Sequence, residues 1–177
     1  MNIANKLTIF RVILVPFFVF FMLTDFFAAS RLTAFIIFCV ATVTDKLDGT
    51  IAKKYNMVTN FGKFMDPIAD KLLVCSALIC LTGTGEIPVW ATIIIIAREF
   101  AVSGIRLVAS DNGVTIAASW WGKSKTIAQM VMIIVILANL SFLSLAETIL
   151  IYVSVVLTLI SAADYLIKNR KAISFDR

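Results

Sequence analysis

The sequence predicts an all-α integral membrane protein of six transmembrane helices, and three observations carry that prediction: composition, the lengths of the apolar stretches, and the placement of the cations. Of 177 residues, 60% are hydrophobic and only 15% are charged, and the mean hydropathy is +0.97. So few charges cannot cover a solvated surface, and so many large apolar side chains exclude a disordered chain. Residues 1–177 read as a single six-helix domain with no internal repeat.

Six apolar stretches follow in order. Leu7–Leu23 opens the chain. With Lys6 and Arg11 on its flank and Ala28-Ala29-Ser30 beyond it, this stretch imitates a signal peptide, but the alternation of charge works best if the helix is retained. Leu32–Ile51 is the second. The third, Ile68–Leu81, reaches the roughly 20 residues needed to cross about 30 Å of hydrocarbon only if the turn from Gly62 is included. Pro67 removes a helical hydrogen bond and biases Asp66 away from α geometry, so this helix begins near Gly62 or bends there. Ile87–Ile105, Ile127–Leu145 and Thr148–Ile167 complete the set. All are expected to be helical, because a spanning segment must satisfy its own backbone polar groups. A β-barrel would need alternating polarity, which Ile93–Ile96 and Val131–Leu137 lack.

Cations set the orientation. With six crossings both termini share a side. That side carries Lys6 and Arg11, then Lys53, Lys54 and Lys63, then Arg106, Lys123 and Lys125, and finally Lys168, Arg170, Lys171 and Arg177. The opposite turns hold only Asp25, Arg31, Glu86 and Glu147. Both termini are therefore expected in the cytoplasm. The net charge of +5 is spread between apolar stretches, which suits a membrane surface and not nucleic acid. Trp120-Trp121 reads as an interfacial anchor. Cys39, Cys75 and Cys80 lie in apolar runs without ligand or disulfide spacing, and are expected to be inert packing residues.

The chain contains no histidine, which excludes imidazole-based zinc sites, Ser-His-Asp triads and every imidazole base. Acid–base work falls to other groups. Four of the eleven acids lie between residues 45 and 70. Asp45 and Asp48 are three apart at the end of the second helix, and Asp66 and Asp70 are four apart at the start of the third; each spacing puts its pair on one helical face. The short connection Lys54–Phe61 lets the two faces meet. Such a cluster is stable only when neutralised, and all-carboxylate donors favour Mg²⁺ or Mn²⁺ over zinc. Gly49, Ala52 and Gly62 keep bulk away from the acids, and Lys53 adds a nearby cation, so a phosphate held by metal and lysine is the ligand this arrangement suits. An alternative is a membrane-edge charge network in which the acids pair with Lys46, Lys53, Lys63 and Lys71.

The run Asp45-Lys46-Leu47-Asp48-Gly49-Thr50-Ile51-Ala52-Lys53, followed by Gly62, Asp66 and Asp70, resembles the signature of the CDP-alcohol phosphotransferase family. That pattern is Asp, two residues, Asp-Gly, two, Ala-Arg, about eight, Gly, three, Asp, three, Asp. Lys53 departs from it: lysine keeps the charge of the family's arginine but loses the two-pronged guanidinium. Asn5, Thr8 and Arg11 resemble the family's Asn-two-Thr-two-Arg element beside its cytidine pocket. Within the family the chain is most similar to the phosphatidylglycerophosphate synthases, through Thr59 to Pro67, Arg98-Glu99-Phe100, Ser103 to Arg106 and Gly122 to Thr126.

The resemblance implies a six-helix bundle of that family's type, in a bacterial-type plasma membrane, with the active site facing the cytoplasm. It implies transfer of a phosphatidyl group from CDP-diacylglycerol to glycerol 3-phosphate, releasing CMP. On this reading Asp45, Asp48, Asp66 and Asp70 hold two Mg²⁺ or Mn²⁺ ions, and Asp70 is also the general base. Asn5, Thr8, Arg11, Gly49, Ala52, Lys53 and Gly62 bind CDP-diacylglycerol, and a homodimer is expected. Arg98, Arg106, Lys123 and Lys125 supply cations for a phosphorylated acceptor, against the alternatives of snorkelling or contact with anionic lipid. The rivals are a relative using serine, an inositol phosphate or phosphatidylglycerol, a cation or proton transporter, and a membrane scaffold.

Overall fold

The computed structural model describes residues 3–24, 26, 29–54, 60–111 and 119–169; the side chains of residues 3–6, 46–54, 60–64, 66, 67, 70, 110 and 111 lie outside the description. The described residues are helical and contain no strand. Six α-helices run in order: α1 Ile3–Leu23, α2 Ser30–Lys54, α3 Asn60–Gly83, α4 Val89–Asp111, α5 Trp120–Ala138 and α6 Ser144–Lys168, with a short 3₁₀ turn at Ser141–Leu143. Trp120–Ala138 and the run Ser141–Lys168 are long and apolar enough to cross a membrane. Large apolar side chains point outward along these helices, among them Phe17, Ile36, Ile93, Val156 and Leu159. Water would penalise that display, whereas hydrocarbon accepts it.

Two compact units make up the chain. The first comprises Met1–Glu86 with Ile136–Asn139, and the second Ile87–Val135 with Leu140–Arg177.

In the first unit α1 lies against both α2 and α3. Its buried side is Thr8, Arg11, Val15, Phe18 and Met22, spaced three and four apart as one helical face requires. Most of the buried residues on the two neighbouring helices are small or aromatic. Ala34, Phe38 and Ala41 are buried on α2, and Ala69, Leu73 and Ala77 on α3, and alanines at such positions let helix backbones approach closely. Phe18 and Phe38 fill the remaining space with ring centroids 5.9 Å apart in a tilted arrangement, a pairing worth about 0.5–1.5 kcal/mol. At the other end, Arg31 at the start of α2 forms a two-pronged ion pair with Glu86 and donates to the carbonyls of Ile136 (2.7 Å) and Leu137 (3.4 Å). It thereby satisfies carbonyls that the last turn of a helix leaves without intrahelical donors. Gly85, at φ +80°, makes the turn that delivers Glu86; a side chain there would strain the left-handed backbone.

In the second unit α4 lies against α6, with Trp90 and Tyr152 rings 5.9 Å apart. The buried side of α6 is polar where an apolar helix would be expected to be oily: Ile151, Ser154, Val155, Thr158, Ser161 and Tyr165. Glu147 in its first turn and Lys168 in its last both complement the helix dipole.

Most boundaries shift from the sequence expectation, the fourth helix running on to Asp111 and the sixth starting at Ser144, and the fifth helix shifts most. The fifth helix starts at Trp120 rather than Ile127 and ends at Ala138 rather than Leu145. Its start is fixed by Ser119, whose hydroxyl accepts from the Gly122 amide at 3.1 Å, the hydrogen bond of an N-cap. Its end is fixed by Asn139, which takes φ +50°, a left-handed conformation that asparagine tolerates better than most residues. Hydropathy alone passes over both signals, because one is a serine outside the apolar run and the other an asparagine inside it. The third helix begins at Asn60 and runs through Pro67 to Gly83, in keeping with an origin near Gly62.

Candidate functional site

Residues of the predicted nucleotide and metal site fall in the first unit. Helix α2 carries Asp45, Asp48, Gly49, Ala52 and Lys53 in its last three turns, and α3 carries Gly62, Asp66 and Asp70 in its first three. Of these, the side chain of Asp45 is described; those of Asp48, Gly49, Ala52, Lys53, Gly62, Asp66 and Asp70, and that of Asn5 on α1, lie outside the described residues. Among the described residues no group of three or more acidic, histidine or cysteine side chains converges. The helical backbone keeps the three- and four-residue spacings intact. An all-oxygen donor set of aspartates fits a hard divalent cation.

The described part of this site contains a buried ion pair. Arg11 is 0% exposed and its Nη1 lies 2.7 Å from Oδ1 of Asp45, which is 31% exposed. One turn earlier on α1, Thr8 is also buried. The structure therefore joins Arg11 of α1 to the first aspartate of α2. Desolvating a guanidinium is costly unless a carboxylate meets it, so the pair fixes α1 against α2 at this level.

A second group of charges lies in the second unit. Glu99 on α4 receives two cations: Arg98 Nη1 at 3.2 Å and, from α5, the ammonium of Lys125. Lys125 is 2% exposed. Arg98 also donates through Nη2 to the Ser161 hydroxyl on α6 at 2.5 Å, so one arginine ties α4 to α6 while Glu99 ties α4 to α5. Gly122 completes this corner: a Cβ added there would lie 3.8 Å from both Arg98 Nη2 and Ser161 Oγ. Further along the same helices, the guanidinium of Arg106 stands 5.6 Å from the centroid of the Tyr165 ring, within cation–π range. Gln129 donates to Thr158 at 3.1 Å, and Thr158 in turn to the Ser154 carbonyl at 2.6 Å.

Of the four cations expected to serve an acceptor, the structure brings Arg98 and Lys125 together on one carboxylate and seats Arg106 on an aromatic ring. Lys123 is exposed. Glu99 stood in the sequence beside Arg98, without a role of its own; Ser161 and Tyr165 were not singled out. The signal for these two was present in α6, where Ser154, Thr158, Ser161 and Tyr165 recur at spacings of four, three and four inside an apolar run, a polar stripe on one helical face.

The family model of CDP-alcohol phosphatidyltransferase matches residues 1–160. The chain is 41% identical to the CDP-diacylglycerol–glycerol-3-phosphate 3-phosphatidyltransferase of Bacillus subtilis (strain 168), across 97% of each protein. It is 42% identical to the enzyme of the same name from Escherichia coli (strain K12), across 93% of each. It is also 42% identical to a probable phosphatidylglycerophosphate synthase of Mycobacterium tuberculosis (strain ATCC 25618 / H37Rv), across 93% of this chain and 79% of that one. A signature of four spaced aspartates, an all-helical fold and similarity over nearly the whole length agree, and the chain belongs to the CDP-alcohol phosphatidyltransferase family.

Proposed function

We infer that this protein is a phosphatidyltransferase of phospholipid biosynthesis that moves the phosphatidyl group of CDP-diacylglycerol onto glycerol 3-phosphate, giving phosphatidylglycerophosphate and CMP. The observation that carries this reading is the near-full-length similarity to relatives bearing that name. The narrower phrases around Arg98, Arg106 and Lys123 support it.

In the reaction, the acceptor hydroxyl oxygen forms a bond to the phosphatidyl phosphorus while the bond from that phosphorus to the oxygen retained by CMP breaks. Asp70 takes the hydroxyl proton, a role open to a carboxylate in a chain with no histidine. Arg11, held by Asp45, together with Thr8, Asn5, Gly49, Ala52, Lys53 and Gly62, binds the nucleotide end of the donor. Arg98, Arg106, Lys123 and Lys125 provide the positive charge that a phosphorylated acceptor needs. Two Mg²⁺ or Mn²⁺ ions held by Asp45, Asp48, Asp66 and Asp70 would supply neutralisation of the diphosphate and of the departing CMP.

The chain functions as one catalytic domain, 1–177, of six membrane-spanning helices with both termini and the active site on the cytoplasmic side of a bacterial-type plasma membrane, and it works as a homodimer. The cation distribution and the outward display of apolar side chains support the placement. There the acyl chains of the donor stay in lipid while the polar acceptor arrives from water. The deciding experiment is an acceptor screen with purified protein, CDP-diacylglycerol and Mg²⁺ or Mn²⁺. Product is expected from glycerol 3-phosphate, and none from free glycerol, serine or an inositol phosphate. Efficient use of serine without product from glycerol 3-phosphate would overturn the acceptor while leaving the transfer chemistry.

A further inference from the structure

Among the described residues of the second unit, four buried polar atoms lack a hydrogen-bond partner: Nε of Arg98, Oγ of Ser154, Oδ2 of Asp164 and the phenolic oxygen of Tyr165; the guanidinium and the phenol are the two donors that lie beside Ser161 and Arg106. Arg98 reaches Ser161 on α6, Tyr165 stands one turn further along that helix, and the Tyr165 ring carries Arg106. Tyr165 is 2% exposed. A buried phenol with no partner is unfavourable relative to phenylalanine, which would fill the same space and offer the same ring to Arg106 without desolvating a hydroxyl. The hydroxyl therefore has no use within the described protein. Among the described side chains around it cations predominate: Arg98, Arg106 and Lys125 stand with Glu99, while Asp164 pairs through Oδ1 with Lys168 at 2.6 Å and its Oδ2 is buried without a partner. An anion with several acceptor oxygens corrects both the excess charge and the orphaned donors.

We propose that Tyr165 is a binding residue for the phosphomonoester of the acceptor, its hydroxyl donating to a phosphate oxygen while its ring seats Arg106. The role rests on the transferase reading above, and it adds a neutral donor whose contribution is directional to cations that act by charge. It also accounts for the polar stripe of α6: Ser161 orients Arg98 and Tyr165 orients Arg106, so the helix that carries no cation of its own in this cluster positions both arginines.

The test is steady-state transfer in phosphatidylcholine nanodiscs by wild type, Tyr165→Phe and Tyr165→Leu, varying each substrate at saturating levels of the other. Tyr165→Phe, which keeps the ring and its packing, should raise KM for glycerol 3-phosphate about tenfold or more while leaving KM for CDP-diacylglycerol unchanged. Tyr165→Leu should raise it further, because Arg106 loses its seat. An unchanged KM for glycerol 3-phosphate in Tyr165→Phe, or equal rises for both substrates, overturns the proposal. So does an effect confined to nanodiscs containing phosphatidylglycerol, which would assign the hydroxyl to a lipid headgroup phosphate. If the wild type makes no product from glycerol 3-phosphate, the transferase reading fails by itself. The hydroxyl is then judged by calorimetry with inorganic phosphate, where affinity about tenfold weaker in Tyr165→Phe sustains the site and equal or absent binding removes it.

Discussion

Arg11 on the first helix and Asp45 on the second form an ion pair of 2.7 Å in which the guanidinium is wholly enclosed. The pair joins a residue expected to bind nucleotide to one expected to bind metal, so Asp45 also has a structural duty. Asp45→Asn weakens the pairing of a wholly enclosed guanidinium and should therefore lower stability by about 1–3 kcal/mol, in addition to lowering activity. Thermal unfolding in detergent measures this directly; an Asp45→Asn protein as stable as wild type would show that the pair does not hold α1 to α2.

Metal dependence follows from four aspartates at helical spacing in a chain without histidine. Excess chelator should abolish transfer, and added Mg²⁺ or Mn²⁺ should restore it. Asp48→Asn should raise the metal concentration needed for half-maximal activity. Full turnover in chelator is the result that removes the metal from the mechanism.

Asp70 separates chemistry from binding. Asp70→Asn should keep most of the affinity for CDP-diacylglycerol and lose roughly 10²- to 10⁴-fold in kcat, the usual contribution of a general base. Turnover near the wild-type rate would transfer the proton to another group.

The Glu99 cluster predicts an asymmetry. Glu99→Gln removes the charge that faces a lysine that is 2% exposed, at a cost of about 1–3 kcal/mol. Lys125→Met leaves Glu99 with Arg98 at 3.2 Å and should cost less. The double variant Glu99→Gln/Lys125→Met should recover part of the stability that Glu99→Gln loses. Additive losses in the double variant would mean the two side chains are not coupled.

Arg106 and Lys123 are both exposed, so their replacement tests function with little disturbance of packing. Arg106→Ala and Lys123→Ala should each raise KM for glycerol 3-phosphate by about 10- to 150-fold and change KM for CDP-diacylglycerol much less. Matching changes in both constants would assign these cations to lipid contact.

The number of helices was legible because each apolar run reports its own position, and the aspartate signature was legible because its spacing is local to two helix ends. Other features depend on partners far away in sequence. Lys125 reads as one of several cations near a membrane face, yet it is buried because α5 starts seven residues before its apolar run and α4 offers it Glu99. Arg11 reads as a flanking cation until α2 brings Asp45 to it. Tyr165 and Ser161 belong to a polar stripe that the sequence shows without its purpose, and the arrival of α4 turns that face into a seat for two arginines.

The Arg31 clamp has a consequence for the order in which the protein can mature. Its partner Glu86 lies 55 residues downstream, and the Ile136 carbonyl it covers lies 105 residues downstream. At roughly 5–20 residues per second of synthesis, the guanidinium waits several seconds for its carboxylate and up to about 20 s for its carbonyls. During that interval α2 can be inserted but its first turn cannot lock. A ribosome stalled after Glu86 has emerged but before Ile136 has should thus leave a nascent chain in which Arg31 is paired and the clamp still open, so the finishing of the first unit is timed by the emergence of α5.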